Sequence, residues 1–141
     1  MKPKAFVDTD VIIDFLVNRE PYLQNATLLF DLADKRKIKL YTSSICLNNV
    51  HYICRKVLGE KKSRLVITEL LEIIDVVSVS GKEIEESLKS DFKDFEDGLQ
   101  HATAISNNEI KSIITRNIKD FKSSTLPVLT PDNFLASLEN G

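Results

Sequence analysis

Short apolar runs alternate along the chain with longer segments in which apolar residues recur at helical spacing. The predicted strands cover residues 4–7, 38–42, 76–79, 112–115 and 128–129. The predicted helices cover residues 11–17, 22–35, about 44–58, 61–74 and 94–107, and two more begin at residues 81 and 131. Because strands and helices alternate, we expect an α/β fold whose sheet is largely parallel.

The ends of two predicted helices carry local signals. Pro21 suits the first turn of the second helix. Ser43 or Ser44 can cap the third helix, and Gly59 can end it. Cys46 and Cys54 both fall inside this third helix, about 12 Å apart along its axis, so we expect no disulfide between them.

No repeat, low-complexity tract or linker interrupts the pattern. The 141 residues are 43% hydrophobic and 28% charged, which is typical of a soluble globular protein with one core. We therefore predict a single domain over residues 1–141. No apolar run reaches the roughly 20 residues of a membrane-spanning helix, and the first residues do not resemble a signal peptide, so we expect a cytoplasmic protein.

The formal net charge of −2 gives the chain no general attraction for nucleic acid. A polyanion would have to be held locally, by a bound cation or by a small basic patch. The concentrated basic stretch consists of Arg55, Lys56, Lys61, Lys62 and Arg64. A solvated helix face explains this stretch as well as an RNA-binding surface does.

The first predicted strand ends in two aspartates, Asp8 and Asp10, directly before an apolar helix. In a parallel α/β sheet the ligand crevice lies at the carboxyl ends of the strands, which is where Asp8 is expected. Either acid can also serve simply as a helix cap, and we assign that role to Asp10, since a cap needs only one residue. Asp8 is therefore the first candidate for metal binding or catalysis.

A second acidic cluster opens the helix that begins near residue 94. Helical spacing places Asp94 and Asp97 on one stripe of this helix. The adjoining stripe is apolar and consists of Phe95, Leu99, Ala102 and Ile105. Acids in a first helical turn also favour the helix dipole without any catalytic purpose, so this cluster alone does not identify a site.

Polar residues also follow the apolar strand predicted at residues 112–115. Thr115, Asn117 and Asp120 are expected at the same edge of the sheet as Asp8. Taken alone this is a weak turn signal. This polar segment becomes informative only together with the two other clusters, because all three lie at a strand end or at a helix start.

Three segments together resemble the PIN domain family, and their order and spacing cover nearly the whole chain. They are Phe6-Val7-Asp8-Thr9-Asp10, Asp94-Phe95-Glu96-Asp97-Gly98-Leu99-Gln100 and Thr115-Arg116-Asn117-Ile118-Lys119-Asp120-Phe121. The resemblance implies a three-layer α/β/α fold with a central, mostly parallel sheet of four to five strands. It also implies a ribonuclease that depends on Mg²⁺ or Mn²⁺, such as the VapC-type toxins of toxin–antitoxin pairs.

By this resemblance Asp8 is the first acid of the family site and Asp97 is the third. Asn117 stands where many members have a fourth acid, and Asn49 stands where the family usually has a glutamate. An amide can ligate a hard cation through its carbonyl oxygen but adds no charge, which predicts weaker metal binding. Three acids are candidates to compensate for the missing charges: Asp94, Glu96 and Asp120.

A divalent cation offsets the repulsion among crowded carboxylates, polarises a phosphate and activates a bound water. The expected metal ligands are Asp8, Asp97, Asn117 and Asp94. The expected catalytic set also includes Asp120, as a direct or water-mediated ligand, and Asn49. The expected substrate contacts are Thr9, Thr115 and Arg116, and the two threonine hydroxyls are also expected to orient Asp8.

Two other functions fit parts of the sequence. The segment from Asp8 to Asp10 also resembles the nucleophile loop of a haloacid-dehalogenase-type phosphatase, although the chain is short for one and lacks an obvious later lysine and paired-aspartate motif. In that enzyme Asp8 would be the nucleophile. Asn49 and Asn117 also fit a non-catalytic PIN module that binds RNA or a protein. The partners expected of a PIN nuclease are an RNA substrate and an antitoxin protein, and a homodimer is a further candidate assembly.

Overall fold

A computed structural model of the chain describes residues 2–139. Five strands form its sheet: β1 Lys4–Val7, β2 Lys39–Ser43, β3 Ile74–Val77, β4 Ser112–Ile114 and β5 Val128–Leu129. Their spatial order is β3-β2-β1-β4-β5, and every neighbouring pair is parallel. The chain therefore leaves the central strand β1 in one direction, to β2 and β3, and later returns to its other side at β4. This reversal opens a crevice at the carboxyl ends of β1 and β4.

Helices pack on both faces of this sheet. They are α1 Thr9–Leu16, α2 Leu23–Asp34, α3 Ser44–Leu58, α4 Glu60–Leu70, α5 Gly81–Lys89, α6 Phe95–Ser106 and α7 Pro131–Glu139, with a short 3-10 helix at Ile118–Phe121. Side chains alternate along a strand, so Ala5 and Val7 join one apolar cluster with Phe134 of α7, whereas Phe6 joins a second cluster with Ala104 of α6. The result is the expected three-layer α/β/α arrangement.

The predicted signals at the ends of α3 are confirmed. The Ser43 hydroxyl accepts a hydrogen bond from the backbone N–H of Cys46 at 3.0 Å. At the other end Gly59 has a φ of +84°, a left-handed conformation that glycine adopts without strain. Cys46 and Cys54 form no disulfide, as their spacing predicts, and both are buried.

Several predicted boundaries are wrong. Strand β3 covers Ile74–Val77 instead of residues 76–79. Helix α4 ends at Leu70 rather than at residue 74, because Ile74 pairs with Leu40 at the start of β3. The apolar residues of this segment fit both periodicities, and pairing with β2 decides between them. Helix α2 begins at Leu23, and Pro21 precedes it instead of lying in its first turn. Helix α1 begins at Thr9, two residues earlier than predicted.

The predicted apolar stripe of α6 is buried only along its middle. Leu99 and Ala102 are buried, but Phe95 and Ile105 at the two ends are exposed by 46% and 42%. The apolar stripe is therefore longer than the surface that covers it. Within residues 2–139, no helix has both the length and the apolar character needed to cross a bilayer.

Candidate functional site

Asp8 lies at the centre of the crevice, one residue past the end of β1. Its backbone N–H donates to the carbonyl oxygen of Ile114 at 2.9 Å, which fixes it between the ends of β1 and β4. One carboxylate oxygen accepts from the backbone N–H of Thr9, and the other accepts from the hydroxyl of Thr115, both at 2.7 Å. Only 7% of Asp8 is exposed. The carboxylate is thus held in one orientation by both of its oxygens.

Asp10 belongs to this site, and the prediction that it caps α1 is wrong. Asp8 is the N-cap residue, and Asp10 lies in the first turn of the helix. Burial raises the pKa of Asp10 to about 7, and repulsion from Asp8 adds to this rise, whereas the nearby Arg116 lowers it. One oxygen of Asp10 accepts from the side-chain amide of Asn117 at 3.0 Å, and its other oxygen is buried without a hydrogen-bond partner among the described residues.

Thr115 and Asn117 reach Asp8 and Asp10 from the end of β4. The hydroxyl of Thr115, which is fully buried, donates to Asp8 and accepts from the backbone N–H of Asn117 at 3.0 Å. The predicted meeting of these residues at one edge of the sheet is therefore observed. The hydroxyl of Thr9 does not orient Asp8, because Thr9 contacts it only through the backbone amide and the hydroxyl has no partner within residues 2–139.

Asp97 approaches the same crevice from the first turn of α6. Asp94 is the N-cap of this helix, and its carboxylate accepts from the backbone N–H of Asp97 at 3.0 Å. Burial raises the pKa of Asp97 to about 7, and repulsion from Asp94, Asp8, Asp120 and Glu96 contributes further, in that order. Asp97 therefore shares one electrostatic environment with Asp8 and with Asp120, which follows β4.

Arg116 forms a partly buried ion pair that the sequence analysis missed. Its Nε donates to one oxygen of Asp14 at 2.7 Å, and its Nη2 donates to the other at 3.3 Å. Asp14 is only 1% exposed. The sequence position of Asp14 could have indicated this pair. Asp14 lies four residues after Asp10 in an otherwise apolar helix, which puts both acids on one face of α1.

A family model described as a PIN domain matches residues 4–119. The chain belongs to the PIN domain family. The match runs from β1 into the short 3-10 helix, and it includes the first two segments on which the resemblance rests and the third as far as Lys119. It favours the nuclease family over the phosphatase alternative for the Asp8 loop. No curated protein matches the sequence.

Solved structures of toxin–antitoxin systems share this PIN fold. A toxin–antitoxin complex from Klebsiella pneumoniae is 26% identical, with a TM-score of 0.66 over 90% of this chain and 97% of that one. A DNA-bound VapBC from Salmonella typhimurium is 16% identical, with a TM-score of 0.68 over 93% and 99%. VapC20 from Mycobacterium tuberculosis, described as a toxin that cleaves the sarcin–ricin loop, is 16% identical, with a TM-score of 0.61 over 77% and 86%. The last two similarities show the fold alone.

Asn49, which the resemblance predicts at the place of the family glutamate, contacts an acid of another helix. Its side-chain amide on α3 donates to the carboxylate of Glu96 on α6. A negative charge therefore lies beside Asn49, although it comes from a different helix. Of the three acids predicted to compensate, Glu96 is the one hydrogen-bonded to Asn49.

A cavity of about 430 Å³ continues the PIN site on the side of α6. It is lined by four acids, Asp91, Asp94, Asp97 and Asp120. It is also lined by three lysines that the sequence analysis missed, Lys93, Lys119 and Lys122. Lys93 directly precedes Asp94, and Lys119 directly precedes Asp120. This adjacency to predicted site residues could have indicated both lysines from the sequence. The basic stretch at residues 55–64 lies on α3 and α4, where Arg64 pairs with Glu60 at 2.5 Å.

No group of three or more His, Cys, Asp or Glu side chains within residues 2–139 is arranged to hold a metal ion by itself. The donors that do converge here are carboxylate and amide oxygens from β1, α1, α6 and the segment after β4. A cation at this site would therefore depend on amide oxygens and water for part of its coordination.

Proposed function

We propose that this PIN protein is a divalent-metal-dependent endoribonuclease and the toxin of a toxin–antitoxin pair. The observation that carries the proposal is the convergence of Asp8, Asp10 and Asp97 at the reversal point of a parallel sheet. Asp8 is buried, and Asp10 and Asp97 are partly buried. Bringing carboxylates together in such surroundings costs free energy unless a cation or a proton neutralises them. Such clusters are typical of sites whose ligand is a cation.

The side chains in this crevice fit hydrated Mg²⁺ or Mn²⁺. Every donor is a hard oxygen, and Mg²⁺ commonly binds through one or two carboxylates while keeping several waters. Asp8 and Asp97 are the proposed direct ligands. Asn117 offers its carbonyl oxygen, since its amide N–H already donates to Asp10. Asp94 and Asp120 are proposed as direct or water-mediated ligands.

The bound ion would supply Lewis acidity toward a phosphate and a water. The chain's own residues hold the surrounding groups. Thr115 and the Thr9 amide keep the Asp8 carboxylate in place, and Arg116 offsets part of the negative charge at Asp10. The three lysines that line the 430 Å³ cavity are proposed to bind RNA phosphates beside the acids.

Glu96 is proposed to supply the negative charge that the family glutamate would supply at the metal site. Its carboxylate lies against the amide of Asn49, the residue at that position in the chain. A charged group delivered from α6 can attract a cation or orient its water much as one delivered from α3 does. Asn49 then acts on the metal site indirectly, by holding Glu96.

An antitoxin segment is the proposed protein partner, and a groove of about 560 Å³ between α1, α2 and α4 suits it. Its apolar lining consists of Phe15, Leu16, Phe30, Val66, Leu70 and Ile73. Four acids also line it: Asp31, Asp34, Glu69 and Glu72. This combination favours a segment with apolar anchors and flanking Lys or Arg. A homodimer and a cytoplasmic location stay predictions.

The decisive experiment is cleavage of a labelled single-stranded RNA by purified protein in Mn²⁺, with and without chelator. We expect wild type and Glu85→Gln, a variant of an exposed acid on α5, to cleave it. Asp8→Asn and Asp97→Asn should lose at least a hundredfold in rate. Circular dichroism checks that each variant is folded.

Equal cleavage by Asp8→Asn and wild type would overturn the proposal. RNA binding without cleavage by the wild type would support the non-catalytic PIN module instead. A phosphorylated Asp8 trapped from a phosphate ester would support the phosphatase.

A further inference from the structure

A second cavity, of about 270 Å³, adjoins the acidic site on the side of α2 and α7. Its lining includes Tyr22, Asn25, Arg116, Asn117 and Asp132. Asn117 belongs to both places, because its amide also donates to Asp10. A ligand in this cavity would therefore lie directly beside the group proposed to bind metal.

Tyr22 gives this cavity an aromatic wall. It stands immediately before α2, and 42% of it is exposed. The guanidinium carbon of Arg116 lies 3.9 Å from the centre of its ring, so the planar guanidinium covers the ring closely. This contact restrains the ring, and the exposed part of Tyr22 stays open to a ligand.

The side chain that supports Tyr22 is itself held in place. Arg116 is fixed by two hydrogen bonds to the carboxylate of Asp14, which is 1% exposed. An aromatic ring packed against a side chain that is fixed in this way has lost most of its rotational freedom before any ligand binds. Binding to it then costs less conformational entropy than binding to a freely rotating side chain.

The other polar groups of the cavity can contact the edge of a planar ligand. Asn25 carries both a donor and an acceptor, and Asp132 carries an acceptor. A volume of about 270 Å³ lies just below the range of drug-sized ligand sites, which begins at about 300 Å³. The cavity therefore fits one ring system rather than a folded peptide.

We propose that this cavity is a nucleobase subsite, in which Tyr22 stacks on one base of a single-stranded RNA whose phosphate lies at the acidic centre. Arg116 supports the ring, and Asn25 contacts the edge of the base. The subsite rests on the proposed ribonuclease function for the identity of its ligand. It adds to that function a position where the enzyme holds a base rather than a phosphate.

The test is binding of a fluorescent ten-nucleotide single-stranded RNA, measured by anisotropy in Mg²⁺. Every protein in this test carries Asp97→Asn, which prevents cleavage, and the protein with this substitution alone is the parent. Tyr22→Ala should weaken binding about fivefold to a hundredfold, as expected for loss of one base–aromatic stack. Tyr22→Phe should bind within about twofold of the parent, since the ring is retained. Tyr52→Ala is the matched control, because Tyr52 is 45% exposed and has Lys56 over its ring at 4.1 Å, but lies on α3.

The same titrations with RNAs carrying one abasic ribose, moved along the strand, identify the stacked base. At one position the abasic RNA should bind the parent and Tyr22→Ala equally, because the partner of the ring is gone. Tyr22→Leu replaces Tyr22→Ala if the alanine variant does not fold. Parental affinity in the folded Tyr22→Ala or Tyr22→Leu variant, or a loss of affinity that no abasic position removes, would overturn the subsite.

Cleavage by the otherwise wild-type protein is scored separately. If it cleaves no RNA but its RNA binding depends on Tyr22, the ribonuclease proposal fails and the subsite stands. If it cleaves RNA and Tyr22→Ala binds and cleaves as well as wild type, the subsite fails and the ribonuclease stands.

Discussion

At the residue scale, Asp8 and Asp97 are both acids near a helix start, but their surroundings differ. Asp8 accepts hydrogen bonds on both oxygens, at 2.7 Å each, from Thr9 and Thr115. Asp97 faces four other acids, and burial and their repulsion raise its pKa to about 7. Asp8 is thus satisfied by the protein itself, whereas Asp97 needs a proton or a cation. This difference makes Asp97 the acid whose removal should change the metal-free protein most visibly.

We predict that Asp97→Asn stabilises the metal-free protein at pH 8 and has little effect near pH 4. The native pKa of about 7 lies above the unfolded value near 3.9, so folding favours the protonated form. The cost of the charge is absent below pH 4, grows from pH 4 to 7 and is complete above 7. Solvent screening at this half-buried group limits the gain to about 1–2 kcal/mol, or a few degrees in melting temperature.

Thermal melts in chelator at several pH values measure this effect. Because the pKa is raised, repulsion and burial outweigh the helix-dipole term of about 0.3–1 kcal/mol that favours a charged Asp97. A variant less stable than wild type at pH 8 would show the opposite balance. Glu85→Gln, at an exposed acid of α5, is the control and should follow wild type at every pH.

At the scale of the elements, local signals predicted what local interactions determine. The Ser43 cap, the Gly59 terminus and the start of α7 at Pro131 all follow from the chemistry of one or two residues. The start of β3 at Ile74 and the role of Asp10 do not. Both depend on groups far away in sequence, the partner strand β2 in one case and the amide of Asn117 in the other.

The close approach of α5 to α6 is another feature that no local pattern contains. A Cβ added at Gly98 would lie 2.7 Å from the Ser87 hydroxyl oxygen, 3.0 Å from that of Ser90 and 3.1 Å from the Cβ of Phe92. The Ser87 hydroxyl already donates to the carbonyl oxygen of Phe95 at 2.8 Å. Gly98 therefore sets the distance at which α6 carries the neighbouring acid of the site into the crevice.

We predict that Gly98→Ala destabilises the protein by about 1 kcal/mol, against the intrinsic helix preference for alanine. Alanine gains about 1 kcal/mol over glycine in a helix, but overpacking costs about 1–3 kcal/mol. Divalent-metal affinity should fall as well, because Asp97 moves with α6. Urea titrations measure stability, and Gly81→Ala is the matched control, since a Cβ there meets no atom within 4 Å. Unchanged or increased stability in Gly98→Ala would contradict the packing argument.

At the scale of the whole molecule, a small net charge of −2 conceals a strongly uneven distribution. Acids from four segments gather at one edge of the sheet, and lysines line the adjacent cavity. The sequence predicted this gathering because strand ends in a parallel sheet must meet. It did not predict the Tyr22 cavity or the contact of Asn49 with Glu96, which depend on how α2, α3 and α6 pack. The order of the strands determines where the acids lie, and the packing of the helices determines which other side chains surround them.

Metal binding should couple to the stability of the whole fold. An ion that binds only the native protein stabilises it by RT ln(1 + [L]/Kd), which is about 2.7 kcal/mol at one hundred times Kd. Saturating Mg²⁺ or Mn²⁺ should therefore raise the melting temperature of the wild type by roughly 5–10 °C. Asp97→Asn should gain much less, and Glu96→Gln should fall between the two if Glu96 stands in for the missing glutamate.

Asn49→Glu tests the same site from the opposite direction. It places a second carboxylate where the Asn49 amide now donates to Glu96, so the metal-free variant should melt below wild type. Its gain on adding metal should exceed that of wild type, because the ion then relieves a larger repulsion. Differential scanning fluorimetry at constant ionic strength separates ion binding from general screening. Equal metal-induced shifts in wild type and Asp97→Asn would show that Asp97 is not a ligand and serves only its own helix terminus.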